Sequence, residues 1–282
     1  MHCRFLILVA TIIIAIDVSV VYPDFSLKFD GINDYVEISD APELSGYGNS
    51  LTFEAWIVPT DISHASTIIS KYLHWNTKDW GMFIDTNGLL GFQRESGPGP
   101  GGGNWFVYSS VPVSLNNWNH TCFVFDNSND ILNLYLNGIF VGSRNVTVDL
   151  PDTTAPVWIG GDGPFYFSRY GTGMFSGYID DVRIWNVART NEEIFNNMLS
   201  GSVTGNENGL VAYWNFNEGS GQELYDYTHY SRNTFLGSTT GHDENDPTWR
   251  NEHSPVVPIP SAVLIGSIGL VFAGWIWKRN GK

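Results

Sequence analysis

Hydrophobic and polar residues alternate along much of the chain, a pattern typical of β-strands that turn one face to a core. The segment SLTFEAWIVP shows it, with one face formed by Leu51, Phe53, Ala55 and Ile57 and the other by Thr52, Glu54, Trp56 and Val58. The segments NWFVYSS, NHTCFVFD, APVWIGG and GYIDDVRIW predict further strands. Many short strands predict an all-β fold, either a β-sandwich or a jellyroll.

Two Asn-Gly pairs between apolar runs predict β-hairpins. Asn87-Gly88 lies within WGMFIDTNGLLGFQ, and Asn137-Gly138 lies within ILNLYLNGIFVGS. Asn-Gly accepts the positive φ that tight hairpin turns require. Each pair therefore predicts two neighbouring antiparallel strands joined by a short turn.

One short helix is predicted, in the segment ARTNEEIFNNML at residues 188–199. Thr190 can cap its start, while Glu193, three residues on, reaches back to the amide of the cap residue. Ile194 and Met198 are four residues apart, so they point inward together.

Long apolar runs lie near both ends of the chain. Arg4 precedes FLILVATIIIAI, a pattern that predicts a secretory signal over residues 1–22, with an uncleaved N-terminal anchor as the alternative. Residues 261–277 carry no charge, and a basic end follows at 278–282. This arrangement predicts a transmembrane helix with a cytoplasmic basic end, which leaves the bulk of the chain outside the cell.

Composition narrows the functional classes. The formal net charge is -15 and the pI is about 4.6, which argues against a nucleic-acid partner because phosphate binding needs clustered Lys and Arg. Cys3 lies in the leading apolar run, so Cys122 is the one cysteine of the predicted mature chain and no internal disulfide is expected. Cys122 lies in a predicted strand, where a free thiol is usually a small buried apolar group.

Four sequence blocks, in order along the chain, resemble the laminin-G-like jellyroll domain of the concanavalin A-like lectin/glucanase superfamily. They are LKFDGINDYVEISDAPEL with SLTFEAWIVP, NNWNHTCFVFD with LNLYLNGIFVGS, FSGYIDDVRIWNVARTNEEI, and GLVAYWNFNEGSGQELYDYTHYSRNTFLGS. The resemblance covers residues 26–250, with a core at 26–200 and a closing segment at 209–250. It implies a concanavalin A-like jellyroll β-sandwich with one short helix, flanked by the signal segment and the transmembrane helix.

The linker 251–260 ends in the motif VPIP, formed by Val257, Pro258, Ile259 and Pro260. With the apolar run and basic end that follow, it resembles the PEP-CTERM type of sorting tail. That resemblance implies recognition by an exosortase, removal of the tail, and release to the cell surface or extracellular matrix. A plain membrane anchor is the alternative.

The superfamily includes glucanases, so catalysis has to be considered. Retaining glycosidases need two carboxylates about 5–5.5 Å apart. The laminarinase-type members carry theirs in a Glu-x-Asp-x-x-Glu strand, and this sequence has no such stretch. The acidic segment DENDP, at residues 243–247, has the composition of a turn. We therefore expect a protein that is not an enzyme.

The resemblance also implies a structural calcium ion. The matching positions are Asp30 and Asn33 near the start of the domain and Asp180 in its closing strand. The alternative is that Asp30 and Asp180 cap turns and accept backbone hydrogen bonds. The histidines show no metal-ligand spacing and are interpreted as scattered polar residues; they are His64, His74, His120 and His229.

Aromatic residues in or beside loops are the candidates for a ligand-binding surface, because sugars stack their apolar faces on aromatic rings. The candidates are Trp75, Trp80, Trp105, Phe165, Tyr166 and Tyr170. The alternative for each is that its ring folds down onto the sandwich.

The leading functional hypothesis is recognition of extracellular polysaccharide, or adhesion to it, by an exported module at the cell surface or in the matrix. A structural surface protein that binds another surface protein or itself is the second hypothesis. A degenerate glycoside hydrolase is the third.

Overall fold

The structure is a computed structural model that describes residues 25–71, 79–95, 105–147, 149–151, 153–162, 172–200 and 203–252. The predicted signal segment, the VPIP motif and the predicted transmembrane segment lie outside the described residues. Within the described ranges, no helix combines the length and apolarity needed to cross a bilayer.

The described chain is built mainly of β-strands. The strands are β1 Ser26–Asp30, β2 Val36–Ile38, β3 Leu51–Pro59, β4 Ala65–Lys71, β5 Asp79–Ile84, β6 Leu89–Glu95, β7 Trp105–Pro112, β8 Asn119–Asp126, β9 Ile131–Leu136, β10 Ile139–Asn145, β11 Val157–Ile159, β12 Thr172–Gly173, β13 Ser176–Trp185, β14 Leu210–Trp214, β15 Glu223–Leu224, β16 Thr234–Leu236 and β17 Thr248–Arg250. One α-helix, α1, spans Asn191–Ser200, and a short 3-10 helix spans Pro42–Leu44.

The strands form two sheets. The first sheet has the order β10-β9-β8-β3-β13-β1-β17, and β14 also pairs with β13. The second sheet has the order β15-β16-β2-β11-β4-β5-β6-β7, with β12 parallel to β4. Neighbours that are distant in sequence, such as β3 and β13, make this a jellyroll sandwich, which confirms the predicted all-β fold with one short helix.

The main hydrophobic core fills the space between the sheets. The predicted inward face of β3 lies in this core and consists of Leu51, Phe53, Ala55 and Ile57. The other face of β3 is also buried, although it carries the polar residues Thr52 and Glu54. Helix α1 and the segments beside it pack on this outer face of the first sheet, so alternation within β3 does not separate core from solvent.

Both Asn-Gly pairs form the predicted hairpins, but by different turns. Asn137 and Gly138 have φ values of 52° and 72°, as a two-residue turn with positive φ at both positions requires. At the other hairpin Gly88 has a positive φ of 78°, and its amide donates to the carbonyl of Asp85. The Asp85 carboxylate also accepts from Leu89 N, which closes this longer turn.

Helix α1 begins with the predicted capping box. Thr190 N donates to Glu193 Oε2 over 2.8 Å, and Glu193 N donates to Thr190 Oγ1 over 3.3 Å. Ile194 is fully buried and packs in a cluster with Cys122, while Met198 packs against Trp56. Burial of each of these side chains contributes about 1.5–3 kcal/mol to docking the helix on the first sheet.

The closing segment adds strands to both sheets, with β14 and β17 joining the first sheet and β15 and β16 the second. Its turn DYTHYSRN is organised by the buried carboxylate of Asp226. This group accepts hydrogen bonds from the amides of Tyr213, Thr228 and Arg232 over 3.0, 2.9 and 2.8 Å. One side chain therefore connects the turn to β14, as the Asp side chains of tight turns commonly do.

Candidate functional site

The outer face of the second sheet, opposite its core face, carries a row of paired residues across five strands. From β7 to β11 the row runs through Phe106, Gln93, Gly81, Ser70 and Trp158. Successive residues of a strand point to opposite faces, so these positions share one side of the sheet. The row thus brings together residues that are far apart in sequence.

An aromatic cluster lies at the β5–β7 end of this face. Tyr108, Gly91 and Phe83 pair across the three strands. The ring centroids of Phe83 and Tyr108 are 5.9 Å apart with the planes at 90°, whereas those of Phe106 and Tyr108 are 6.3 Å apart with the planes within 11°. Tyr108 is 44% exposed, Phe106 is partly exposed, and Phe83 is buried beneath. We call Phe83, Gln93, Phe106 and Tyr108 the aromatic face.

Gly91 makes room for the buried ring of this cluster. A Cβ at position 91 would lie 2.5 Å from Phe83 Cζ, closer than real side chains approach. The missing side chain therefore lets the Phe83 ring cover strand β6, where it supports Tyr108 in an edge-to-face contact.

Polar groups accompany the rings. Gln93 is 9% exposed, and its Oε1 has no hydrogen-bond partner among the described residues. The hydroxyl of Tyr108 is protonated at neutral pH, as in any tyrosine, and can donate; burial and, secondarily, the negative charge of Asp85 raise its pKa further. Arg144 donates to the backbone carbonyl of Phe106 over 3.2 Å, and its guanidinium lies over the ring of Trp105, 5.8 Å from the centroid, so this cation lies at the edge of the sheet.

This combination suits binding rather than bond cleavage. Two nearly parallel, partly exposed rings offer a flat apolar surface of the kind that packs against a sugar ring. The amide of Gln93 and the hydroxyl of Tyr108 can exchange hydrogen bonds with hydroxyl groups. None of the four side chains of the aromatic face is a carboxylate, the group on which the two-carboxylate mechanism of glycosidases depends.

Two of the sequence candidates for ligand contact are wrong, because their rings lie in the core. Trp80 is only 1% exposed and stacks on Phe92 with a centroid distance of 6.2 Å. Trp105 is 7% exposed and stacks on the same ring at 5.7 Å. The alternative, that such rings fold onto the sandwich, holds for both. In the segment WFVYSS, the outward residues are Phe106 and Tyr108; alternation groups these two residues together, but it does not tell which face of the strand is outward.

The other four candidates for ligand contact cannot be compared with the structure. Trp75, Phe165, Tyr166 and Tyr170 lie outside the described residues.

The predicted calcium ligands do not come together as one set. Asp30 pairs with Ser176, whereas Asp180 lies four residues further along β13, or about 13 Å away along the strand. Asp30 Oδ1 accepts from the amides of Ile32 and Asn33 over 2.7 and 3.2 Å, and Asp180 Oδ1 accepts from Asp181 N over 2.8 Å. Both carboxylates thus accept backbone hydrogen bonds, as the alternative proposed.

No group of three His, Cys, Asp or Glu side chains in the described ranges is arranged to hold a metal ion. Asp30 and Asp180 therefore belong to no such group in the described ranges, and the calcium site implied by the resemblance stays a prediction. Near Asp30, the carboxyl group with a strongly shifted pKa is that of Asp34, a residue that the sequence did not single out. Burial and the charge of Asp30 raise the pKa of Asp34 to about 7, and its Oδ2 accepts from Asp30 N over 2.7 Å.

The interpretation of His120 as a scattered polar residue is wrong. His120 and Glu54 are both buried on the outer face of the first sheet, with His120 Nε2 3.2 Å from Glu54 Oε2. Cys122, as predicted, is a free and buried thiol, and its pKa is raised by burial and by the charge of Glu54. Position in the sequence gave no signal for this pair, because β3 and β8 are more than sixty residues apart.

The comparisons with known proteins agree with this fold. The Laminin_G_3 family model, described as the concanavalin A-like lectin/glucanases superfamily, matches residues 30–195. A crystal structure of a candidate carbohydrate-binding protein from Bacteroides ovatus is 22% identical, with a TM-score of 0.61. That match covers 83% of this chain and 61% of the other, so this chain spans less than two thirds of the Bacteroides protein.

Two further solved structures are similar at lower scores. The SAP-like pentraxin of Limulus polyphemus is 18% identical with a TM-score of 0.46, and the match covers 64% of this chain and 83% of that one. The CBM40 module of a Ruminococcus gnavus sialidase, bound to α2,3-sialyllactose, is 16% identical with a TM-score of 0.46, covering 60% and 97%. No curated protein matches the chain. Because the family model covers more than half of the sequence, the protein belongs to the concanavalin A-like lectin/glucanases superfamily.

Proposed function

We propose that the protein is a non-catalytic carbohydrate-binding module and that its ligand contacts the aromatic face. The observation that carries the proposal is the stacked pair of Phe106 and Tyr108, which turns outward from the second sheet. Membership of a lectin-containing superfamily and the fold shared with the Bacteroides ovatus protein support it. The unpartnered acceptor of Gln93 supports a polar ligand, since an unpaired buried acceptor costs about 1–3 kcal/mol.

The test is binding of the full-length protein to a panel of polysaccharides, with Tyr108→Ala and a matched control. Tyr225→Ala is the control, because Tyr225 is 45% exposed and follows β15, at the opposite edge of the same sheet. We expect Tyr108→Ala to lower affinity about tenfold, the loss of one ring contact, while Tyr225→Ala binds normally. Equal binding by both variants contradicts the site. Hydrolysis of β-glucans would contradict the non-catalytic role.

Self-association is the second candidate function, and a specific observation favours it. The edge strand β10 exposes two large apolar side chains, Ile139 at 65% and Phe140 at 52%. Exposed apolar edge strands are common sites of association. Analytical ultracentrifugation of the wild type and of Phe140→Ser tests it. A concentration-dependent dimer that the substitution abolishes would support association.

The proposed module works outside the cell. Residues 1–22 export the chain, and residues 261–277 either anchor it or, with VPIP, address it to an exosortase that releases it to the surface or matrix. The intact mass of native protein from washed cells and from spent medium separates these routes. A released form that ends near Pro260 supports sorting, and a membrane form that retains Lys282 supports a plain anchor.

A further inference from the structure

A second pair of aromatic rings lies on the outer face of the first sheet, on the opposite side of the sandwich from the aromatic face. The ring centroids of Trp118 and Tyr178 are 6.4 Å apart, with the planes at 51°. Tyr178 on β13 pairs with Val58 on one side and with Lys28 on the other. Val58 is buried, whereas Tyr178 and Lys28 beside it in the sheet are partly exposed.

Helix α1 covers the adjacent part of this face but leaves the ring pair accessible. Met198 and Phe195 pack with Trp56 and with one side of Trp118. Trp118 and Tyr178 both remain partly exposed. A partly exposed ring fixed on one side by packing is a preorganised contact, so little side-chain entropy is lost when a ligand binds.

Two cations border these rings. Lys28 pairs with Tyr178 in the sheet, and Arg250 pairs with Ser26, two positions before Lys28 on the same face. Burial and then the charge of Glu252 raise the pKa of Tyr178, and the charge of Arg250 lowers it, so one carboxylate lies beside the two cations. Within the described part of the chain, neither Lys28 nor Arg250 forms a salt bridge. Four other cations are paired with a carboxylate; they are Lys71, Arg183, Arg189 and Arg232. We call Trp118, Tyr178, Lys28 and Arg250 the Tyr178 surface.

Accessible cations in a chain of net charge -15 are informative, since most of its surface repels anions. Aromatic rings bordered by Lys and Arg match a sugar that carries a carboxylate: the rings contact its apolar face and the cations contact its charge. At the aromatic face, Arg144 reaches the backbone carbonyl of Phe106, while its guanidinium lies over the ring of Trp105.

We propose that the Tyr178 surface is a second carbohydrate site, selective for carboxylate-bearing polysaccharide, and that the module is bivalent. The inference rests on the proposed function of the aromatic face. The two surfaces point away from each other across two packed sheets, which are roughly 10 Å apart. One polysaccharide strand on each face would be held side by side with the other. A monomer of this kind cross-links polymer chains, which a single-site module does not do.

The test uses three acidic polymers, polygalacturonate, alginate and hyaluronan, each beside its carboxyl-reduced form. Full-length protein, shown to be monomeric, is titrated with a short oligosaccharide of each acidic polymer for stoichiometry and with the polymer for light scattering. We expect the oligosaccharide titration to give two sites per chain. Light scattering should peak at an intermediate ratio of protein to polymer. Binding to the carboxyl-reduced polymers should be at least tenfold weaker.

Variants separate the two surfaces. Tyr178→Ala and Tyr108→Ala should each weaken one of the two sites about tenfold, leave the other site unchanged and reduce cross-linking, while keeping the melting temperature. Arg250→Gln changes an exposed side chain with little risk to folding, and it should weaken only the second site. The control Tyr225→Ala should cross-link like the wild type.

The outcomes distinguish the two proposals. One site per chain, weakened in Tyr108→Ala and unaffected by Tyr178→Ala and Arg250→Gln, overturns the second site and leaves the proposed function standing. Equal binding to the carboxyl-reduced polymers overturns the acidic selectivity. No binding to any polysaccharide overturns the proposed function and the inference with it.

Discussion

His120 Nε2 lies 3.2 Å from Glu54 Oε2, and neither side chain reaches solvent. The atoms are close enough for an ion pair but are not aligned as a hydrogen bond. In the sheet, Glu54 pairs with Cys122 on one side and Arg183 on the other. The first sheet thus has a buried polar layer beneath α1, and its charges depend on one another because water is excluded.

Removal of the Glu54 charge should destabilise the protein. We expect Glu54→Gln to lower the free energy of unfolding by about 3–5 kcal/mol, because it leaves His120 and Arg183 buried without this counter-charge. Denaturant unfolding measures the change. Glu244→Gln, in an exposed turn, is the control and should stay within about 0.5 kcal/mol. A loss below 1 kcal/mol in Glu54→Gln would show that the charge of Glu54 does not stabilise this layer and that Asp181 alone compensates Arg183.

Asp34 should make stability fall as the pH rises. Its pKa is raised from 3.8 to about 7, first by burial and then by the charge of Asp30, so the folded protein holds this proton more tightly than the unfolded chain. The free energy of unfolding therefore decreases from about pH 4 to pH 7. Asp34→Asn removes the ionisation and keeps an oxygen for Asp30 N. At pH 8 it should be more stable than the wild type by up to about 4 kcal/mol.

Asp61→Asn serves as a control in which the pKa of the replaced carboxyl group is shifted in the opposite direction, downward. Hydrogen bonds from Ser63 lower the pKa of the exposed Asp61, so any stability it contributes is present above the unfolded pKa and lost in acid. Urea denaturation at several pH values compares the variants. An Asp34→Asn curve parallel to that of the wild type between pH 4 and pH 8 would contradict the assignment.

Gly91→Ala should weaken carbohydrate binding indirectly, through the rings of Phe83 and Tyr108 and not through contact of the new methyl group with the ligand. The new methyl group would lie 2.5 Å from Phe83 Cζ, so the ring must move and Tyr108 loses its support. We expect a severalfold lower affinity and a stability loss of about 1–3 kcal/mol. Gly241→Ala is the matched control, because a Cβ there meets no atom within 4 Å. Unchanged affinity in Gly91→Ala would separate Phe83 from the site.

Thr190→Ala should loosen helix α1. Loss of the capping box costs about 1 kcal/mol, and Thr190→Ser should restore most of it. Because Ile194 packs with Cys122, fraying of the helix should also raise the rate at which a thiol reagent modifies Cys122 in the native protein. An unchanged labelling rate, together with unchanged stability, would mean that α1 is held by packing alone.

The parts of the fold that the sequence determined are local. The hairpin at Asn137-Gly138 follows from the positive φ that these residues tolerate, and the start of α1 follows from the reciprocal bonds of Thr190 and Glu193. The inward face of β3 follows from its period of two. Each depends on residues a few positions apart, so the physical cause is contained in the segment itself.

Tertiary structure alone decided the rest. Which of the neighbours Trp105 and Phe106 faces outward depends on which side of β7 the opposite sheet covers, and both are aromatic, so hydrophobicity does not distinguish them. Likewise Glu54 is buried because α1 packs over β3, far away in sequence, and it meets His120 through the β3–β8 register. Burial and pairing are properties of the assembled layers, and no single strand contains them.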